Sequence, residues 1–186
     1  DVMKETFRLT DQGERDLGLR FDLTVPLARY IGMNPETKMP FKRYQFGKVY
    51  RDGPIKAGRY REFWQYDVDI VGCKTMQADA EIIRVVLDVF SAFDLDVEVR
   101  VNNRKLLTGL VVDAGISDDL AETAIIAIDK LDKIGRDGVV AELVKKGFSG
   151  EQANKLLDGL SLSSLEEYER LLPGNQGVVE LKELFS

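Results

Sequence analysis

The stretch REFWQYDVDIV at residues 61–71 alternates with a period of two. Arg61, Phe63, Gln65, Asp67 and Asp69 fall on one side, and Trp64, Tyr66, Val68 and Ile70 on the other. Only an extended strand, whose successive side chains point to opposite faces, keeps these two sets apart. Residues 41–51 (FKRYQFGKVYR) read as a second strand, and the nine residues Asp52 to Tyr60 join the two. Hairpin loops usually have about 2–5 residues, and longer ones are often functional. Between residues 41 and 61 stand seven Lys/Arg and one acid, Asp52, in a chain whose net charge is −6. Such a local excess of positive charge is suited to a polyphosphate.

At 186 residues the chain has room for one domain or two small ones. Its 44% apolar and 31% charged residues are ordinary for a globular protein. No apolar run approaches the ~20 residues of a membrane span, and no signal-peptide pattern opens the chain. Cys73 is the one cysteine and there is no histidine, so an internal disulfide, a Cys/His metal site and histidine-based acid–base chemistry are excluded. Cys73 is expected to be inert and the setting reducing and cytoplasmic. The acidic balance argues against general coating of nucleic acid but leaves room for a local basic site.

The chain is expected to be α+β: a strand-rich part to residue 103, then a small all-helical part over 104–186. Residues 5–10 and 17–24 alternate like strands, with Arg20, Asp22 and Thr24 on one face of the second. Pro26 suits the first turn of a short helix over 25–32. Residues 79–94 carry a helical stripe of Ile82, Val86, Val89, Phe90 and Phe93, and 97–102 read as a short strand. Helical patterns then cover 104–114, 119–134, 137–146, 150–159, 163–172 and 176–185. Glycines 115, 135, 147 and 174 are placed as stops, and Ser117 and Ser149 as N-caps. Asp129–Lys133 is a candidate i,i+4 pair, and Asn102 and Asn103 are candidate caps for the helix after them.

Two groups of residues could carry chemistry. The polar rows Arg20/Asp22/Thr24 and Phe63/Gln65/Asp67/Asp69 would, side by side, make a floor of carboxylates, an amide, a hydroxyl and one ring. Such a floor can hold the ammonium and polar side chain of an amino acid, or it can be the solvated face of an antiparallel sheet. Arg51, Arg59 and Arg61 approach one another if the strands pair, and the planar guanidinium fork suits phosphate. Gly53 and Gly58 allow close backbone approach to a ligand; a solvated basic hairpin is the plain alternative. Neither a P-loop nor a GxGxxG motif occurs. Lys145 and Lys146 are weak candidates for nucleic-acid contact.

The stretches LTDQGERDLGLRFDLTVPLARY (9–30) and FKRYQFGKVYRDGPIKAGRYREFWQYDVDIVG (41–72) strongly resemble histidyl-tRNA synthetase, a class II aminoacyl-tRNA synthetase. The second resembles motif 2, the strand–loop–strand ATP element, placed here at 41–71, and the first resembles the amino-acid-binding strand. IDKLDKIGRDGVVAEL (128–143) is similar to the helical insertion domain of the family's eukaryote-like branch. The resemblance implies a partial class II antiparallel sheet with flanking helices over 1–103, followed by the insertion domain over 104–186. It gives Arg51 the catalytic place on the α-phosphate. Arg59 and Asp52 are set near the nucleotide, and Phe63 is stacked on adenine. Asp22 and Thr24 take the α-amino group of histidine, and Gln65 and Asp69 line the histidine site.

The reaction so implied consumes ATP, with magnesium on its phosphates, forms histidyl-adenylate and transfers histidine to tRNA(His); the parent is implied to be a cytoplasmic homodimer. Where many relatives have an acid two residues after the motif 2 arginine, this chain has Gly53, with Asp52 one residue earlier. Motif 1, an RGLDYY-like motif, motif 3 and an anticodon-binding domain are not found, so the chain is expected to be a fragment, inactive alone. The alternative within the resemblance is a non-catalytic relative: a regulatory subunit of histidine biosynthesis or a sensor of uncharged tRNA. Retention of Arg51 and Arg59 favours the synthetase.

Overall fold

The computed structural model describes residues 2–186. The chain divides into two compact units, one ending at Ala78 and the other running from Asp79 to Ser186. The composition shift near residue 103 lies inside the second unit.

In the first unit, β1 (Arg8–Thr10) and β2 (Asp16–Gly18) pair antiparallel, with Arg8 opposite Gly18. The strand expected over 17–24 therefore ends early. Beyond Gly18 the chain makes isolated bonds, Leu19 N–H to the Phe7 carbonyl at 2.9 Å and Tyr50 N–H to the Arg20 carbonyl at 2.8 Å. The reason is local: Asp22 Oδ1 accepts from the N–H groups of Thr24 and Val25, both at 3.1 Å, and turns the chain into helix α1 (Thr24–Met33). Pro26 sits in its first turn, where no intrahelical N–H is needed.

Strands β3 (Phe41–Tyr50) and β4 (Glu62–Val71) form an antiparallel ladder running from Phe41 opposite Val71 to Tyr50 opposite Glu62. Arg43 faces Asp69, Gln45 faces Asp67, Gly47 faces Gln65 and Val49 faces Phe63. The alternation of β4 is as expected, and it is the polar row that is covered. Phe63, Gln65, Asp67 and Asp69 are half-buried, whereas Tyr44, Phe46, Trp64 and Tyr66 on the opposite face are exposed, Tyr44 to 80% and Trp64 to 54%. The covered side is filled by Leu23, Leu27 and Val49, all buried. Gly47 leaves room for Arg20: a Cβ on it would lie 3.0 Å from Nη2 of that guanidinium, which donates to the Lys48 carbonyl at 2.7 and 3.0 Å.

The second unit is helical: α2 (Gln77–Ala92, which straddles the division), α3 (Arg104–Asp113), a 3-10 turn (Asp118–Leu120), α4 (Ala121–Ile128), α5 (Leu131–Lys145), α6 (Gly150–Leu160), α7 (Leu165–Leu171) and α8 (Gln176–Leu184). Its core gathers Leu106, Leu110, Val111, Val139, Leu143, Leu156, Leu157 and Val178 among others. Residues 97–102 alternate in burial as a strand would, yet no strand among the described residues pairs with them, so they remain irregular. The helix expected over 119–134 is instead the 3-10 turn, α4 and the start of α5, which carries its break at Gly135 (φ 68°). α4 ends at Ile128 with Asp129 as its C-cap and α5 starts at Leu131, so Asp129 and Lys133 do not share one helix and form no pair. Glycines 115, 147 and 174 also adopt positive φ at helix ends. Ser149 caps α6 reciprocally with Gln152, and Asn103 caps α3, but Ser117 makes no side-chain cap bond. The stripe on α2 has no fully buried residue.

Two substitutions test this core, read by urea unfolding followed by helical circular dichroism. Leu156→Ala is expected to remove about 2–5 kcal/mol, and Ser149→Ala about 1 kcal/mol by loss of the cap. A loss below about 1 kcal/mol for Leu156→Ala would contradict its place at the centre of the unit.

Candidate functional site

The loop between β3 and β4 is itself a small hairpin. Lys56 and Arg59 exchange backbone hydrogen bonds at 2.9 and 3.4 Å around Ala57–Gly58, and Gly58 takes φ 73°, a conformation that suits glycine. Its base is tied down on both sides. Arg51 N–H donates to the Arg61 carbonyl at 2.9 Å, continuing the ladder, and Asp52 N–H donates to the Glu5 carbonyl at 2.8 Å. The Arg61 guanidinium donates to the Gly53 carbonyl at 3.3 Å and lies 3.5 Å from Asp52. At the rim, the Lys48 ammonium pairs with Glu62 at 2.7 Å. It holds that carboxyl below the usual glutamate range, while Glu62 raises the Lys48 ammonium.

Enclosed by this loop is a cavity of about 190 Å³ lined by Glu5, Arg51, Gly53, Pro54, Gly58, Arg59, Tyr60 and Phe63. Arg51 is its centre. The guanidinium carbon lies 4.6 Å from the Phe21 ring centroid and 5.2 Å from that of Phe63, so two aromatic faces hold the cation. Its Nε is buried and has no hydrogen-bond partner. A buried guanidinium donor without an acceptor is costly, and the guanidinium to which it belongs lines this cavity, where an anion can be met by its fork.

Farther along the same covered face lies the polar row. Arg43 pairs with Asp69 at 2.9 Å and donates to the Leu23 carbonyl at 2.9 Å and to the Gln45 side chain. Gln65 donates to Asp67 at 2.8 Å, which leaves Gln65 Oε1 buried without a donor. The face thus offers one unused donor at the loop end and one unused acceptor four residues' worth of strand away, with carboxylates beyond it. Among the described residues no group of three or more His, Cys, Asp or Glu side chains is arranged to hold a metal ion, and no helix is long and apolar enough to cross a membrane.

Of the residues singled out in the sequence, Arg51, Arg59 and Phe63 line one cavity. Gln65 and Asp69 lie on the same covered strand face. Asp52 and Arg61 are outside the cavity lining and brace the loop against each other. Asp22, one residue before the N-cap Leu23, accepts through Oδ1 from the first N–H groups of α1, and Thr24, exposed, supplies one of them. In the helical unit Lys146 is tied to Glu142 at 3.4 Å and to the Thr123 carbonyl at 3.3 Å, while Lys145 is exposed. Four contributors went unrecognised in the sequence. Phe21 falls, by alternation, on the face opposite Arg20, Asp22 and Thr24. Arg43 and Gln45 stood in β3 unassigned, although alternation puts them on the Arg51 face. Glu5 comes from a distant segment; its carboxyl atoms lie 3.7–3.8 Å from where a Gly53 Cβ would be, and no sequence signal pointed to it.

The family model described as histidyl-tRNA synthetase matches residues 1–184. Histidine–tRNA ligase 1 of Bacillus thuringiensis subsp. konkukian is 43% identical over 190 residues, covering 99% of this chain and 45% of the relative. The crystal structure of histidyl-tRNA synthetase from Nostoc sp. PCC 7120 superposes with a TM-score of 0.82 at 33% identity, over 97% of this chain and 44% of that one. A structure from Bacillus halodurans C, titled as an ATP phosphoribosyltransferase regulatory subunit/histidyl-tRNA synthetase, shares the fold with a TM-score of 0.77 at 23% identity. The chain spans somewhat under half the length of these relatives.

Inorganic tripolyphosphate is the simplest probe of the cavity. Titrated calorimetrically, it should bind the chain, and Arg51→Ala should weaken it about 10–100-fold, as loss of a charge-assisted hydrogen bond requires. Equal affinity of the variant would place the anion elsewhere.

Proposed function

The chain belongs to the histidyl-tRNA synthetase family, and on that premise we propose that it forms the nucleotide- and histidine-binding half of the catalytic core of a histidine–tRNA ligase. The observation that carries this reading is the pair of orphaned groups on one covered strand face, the Arg51 Nε donor and the Gln65 Oε1 acceptor. A site that must take a phosphate at one end and a polar side chain at the other needs such a pair.

In this reading a histidine carboxylate oxygen attacks the α-phosphorus of ATP, the bond from that phosphorus to the β-bridging oxygen breaks, and pyrophosphate leaves. Arg51, preset between Phe21 and Phe63, donates to the α-phosphate as negative charge builds on its oxygens. Arg59 meets the outer phosphates from the loop hairpin, and the part of Phe63 not occupied by Arg51 receives the adenine. Asp52 contributes to the nucleotide site through its pairing with Arg61, which sets the loop. Magnesium bound with ATP would supply further neutralisation of the phosphate charge. Asp22 and Thr24 hold the α-ammonium group, with Asp22 Oδ2 available beyond the capping oxygen, and Gln65 and Asp69 face the imidazole. The adenylate then passes histidine to tRNA(His).

The family's division of the chain, catalytic core over 1–103 and insertion domain over 104–186, a cytoplasmic homodimeric parent, and inactivity of this piece alone complete the proposal. Retention of both Arg51 and Arg59 in one cavity supports catalysis over a purely regulatory role, since a protein freed from ATP chemistry has no use for them.

The test is histidine-dependent ATP–pyrophosphate exchange, run on this chain and on the full-length gene product side by side. Exchange is expected from the parent and not from the chain; absence from a folded parent would favour a regulatory relative. In the parent, Arg51→Ala should cut the exchange rate by roughly 10²–10³-fold, and near-normal exchange would remove its catalytic role. Asp69→Ala should weaken discrimination for histidine, read as the ratio of kcat/KM between histidine and its competitors.

A further inference from the structure

We infer that Arg43 is a positioning residue that fixes the distance between the two ends of the amino-acid site. The inference rests on the histidine reading of Asp22, Thr24 and Asp69 and goes beyond it, because Arg43 itself touches no ligand. All three guanidinium nitrogens are committed within the fold. Nε and Nη2 both address Oδ2 of Asp69, each at 2.9 Å; Nη2 also donates to the Leu23 carbonyl at 2.9 Å; Nη1 donates to Gln45. The side chain is only 13% exposed, against 27% for Asp69. Each guanidinium nitrogen thus has a partner within the fold, whereas Asp69 keeps Oδ1 clear of Arg43.

The partners explain what this does. Leu23 is completely buried and stands between Asp22 and Thr24, at the turn where the extended segment enters α1. Asp69 is on β4, the far strand of the ladder. Arg43, on β3, bridges them, so one planar cation links the segment that presents the ammonium-binding groups to the acid at the imidazole end. A ligand with a cation at one end and a ring N–H at the other is recognised by the span between acceptors, and small errors in that span are expensive. Asp67 shares the face with Asp69, and Arg43 is the cation seated among these carboxylates; without it their repulsion would act on the spacing directly. Lysine cannot substitute, since a single ammonium has no rigid fork to reach a carboxylate, a carbonyl and an amide in one plane.

The experiment is steady-state pyrophosphate exchange by the full-length parent, with histidine and ATP varied separately, for wild type, Arg43→Lys, Asp69→Asn and the double variant. Arg43→Lys should raise the histidine KM by about tenfold or more while kcat and the ATP KM move by less than about threefold, the split expected when only ground-state positioning of one substrate is lost. The double variant should be no worse than about threefold beyond Asp69→Asn alone, because Arg43 acts through Asp69. An unchanged histidine KM, an equal rise in the ATP KM, or fully additive effects would overturn the inference. Should Arg43→Lys fail to fold, Gln45→Met removes only the Nη1 acceptor; it should raise the histidine KM about threefold with the ATP KM unchanged, and no rise would overturn the inference just as well. Wild-type parent without histidine-dependent exchange would instead overturn the functional reading, and this inference with it.

Discussion

The β3–β4 register is the constraint on which the site depends. Because side chains alternate, a slip of β4 by one residue against β3 would send Phe63, Gln65 and Asp69 to the exposed face and bring Trp64 and Tyr66 inward. The aligned register is held at one end by the Arg43–Asp69 pair and at the other by Arg51 bonding to Arg61 beyond the last rung. Both anchors involve residues of the proposed site. The sheet is thus held in place by the same charges that the chemistry would use, and a change that loosens one loosens the other.

Charge is distributed along this face in order. The loop end carries Arg51 and Arg59 with Phe21 and Phe63 as apolar walls; the far end carries Asp67 and Asp69 with Arg43 between strands. A polyphosphate and a carboxylate-rich pocket repel each other if mixed, and the ladder keeps them several rungs apart. Glu5 is the exception, a carboxyl at the loop end beside Gly53.

Much of this was legible from residue order alone. The strict alternation of 61–71 reported both the strand and the membership of its faces, and glycines with no side chain to strain marked the helix breaks at 115, 135, 147 and 174. What residue order could not settle was which face of the hairpin is covered, because that depends on Leu23, Leu27 and Phe21 arriving from an earlier segment. The same limit explains residues 97–102: alternation shows readiness to be a strand, but a strand exists only when another edge lies beside it. Asp22 was read as part of a strand face; its carboxylate, by drawing two N–H groups, ends the extended segment and starts α1. Local capping chemistry there outweighed the period-two pattern.

Trp64 is the chain's one tryptophan, and it follows Phe63 directly in β4. Adjacent strand residues point to opposite faces, so a ring lining the cavity and the only strong intrinsic fluorophore stand back to back across one backbone layer. Trp64 lies 5.9 Å from Phe46, and Phe46 in turn 5.7 Å from Tyr66, in an aromatic row open to water. Its emission is consequently a gauge of whatever dries or wets the outer face, and filling the cavity behind it leaves that solvent environment untouched. An optical titration that relied on this indole would report on the outer face of the sheet and not on the cavity.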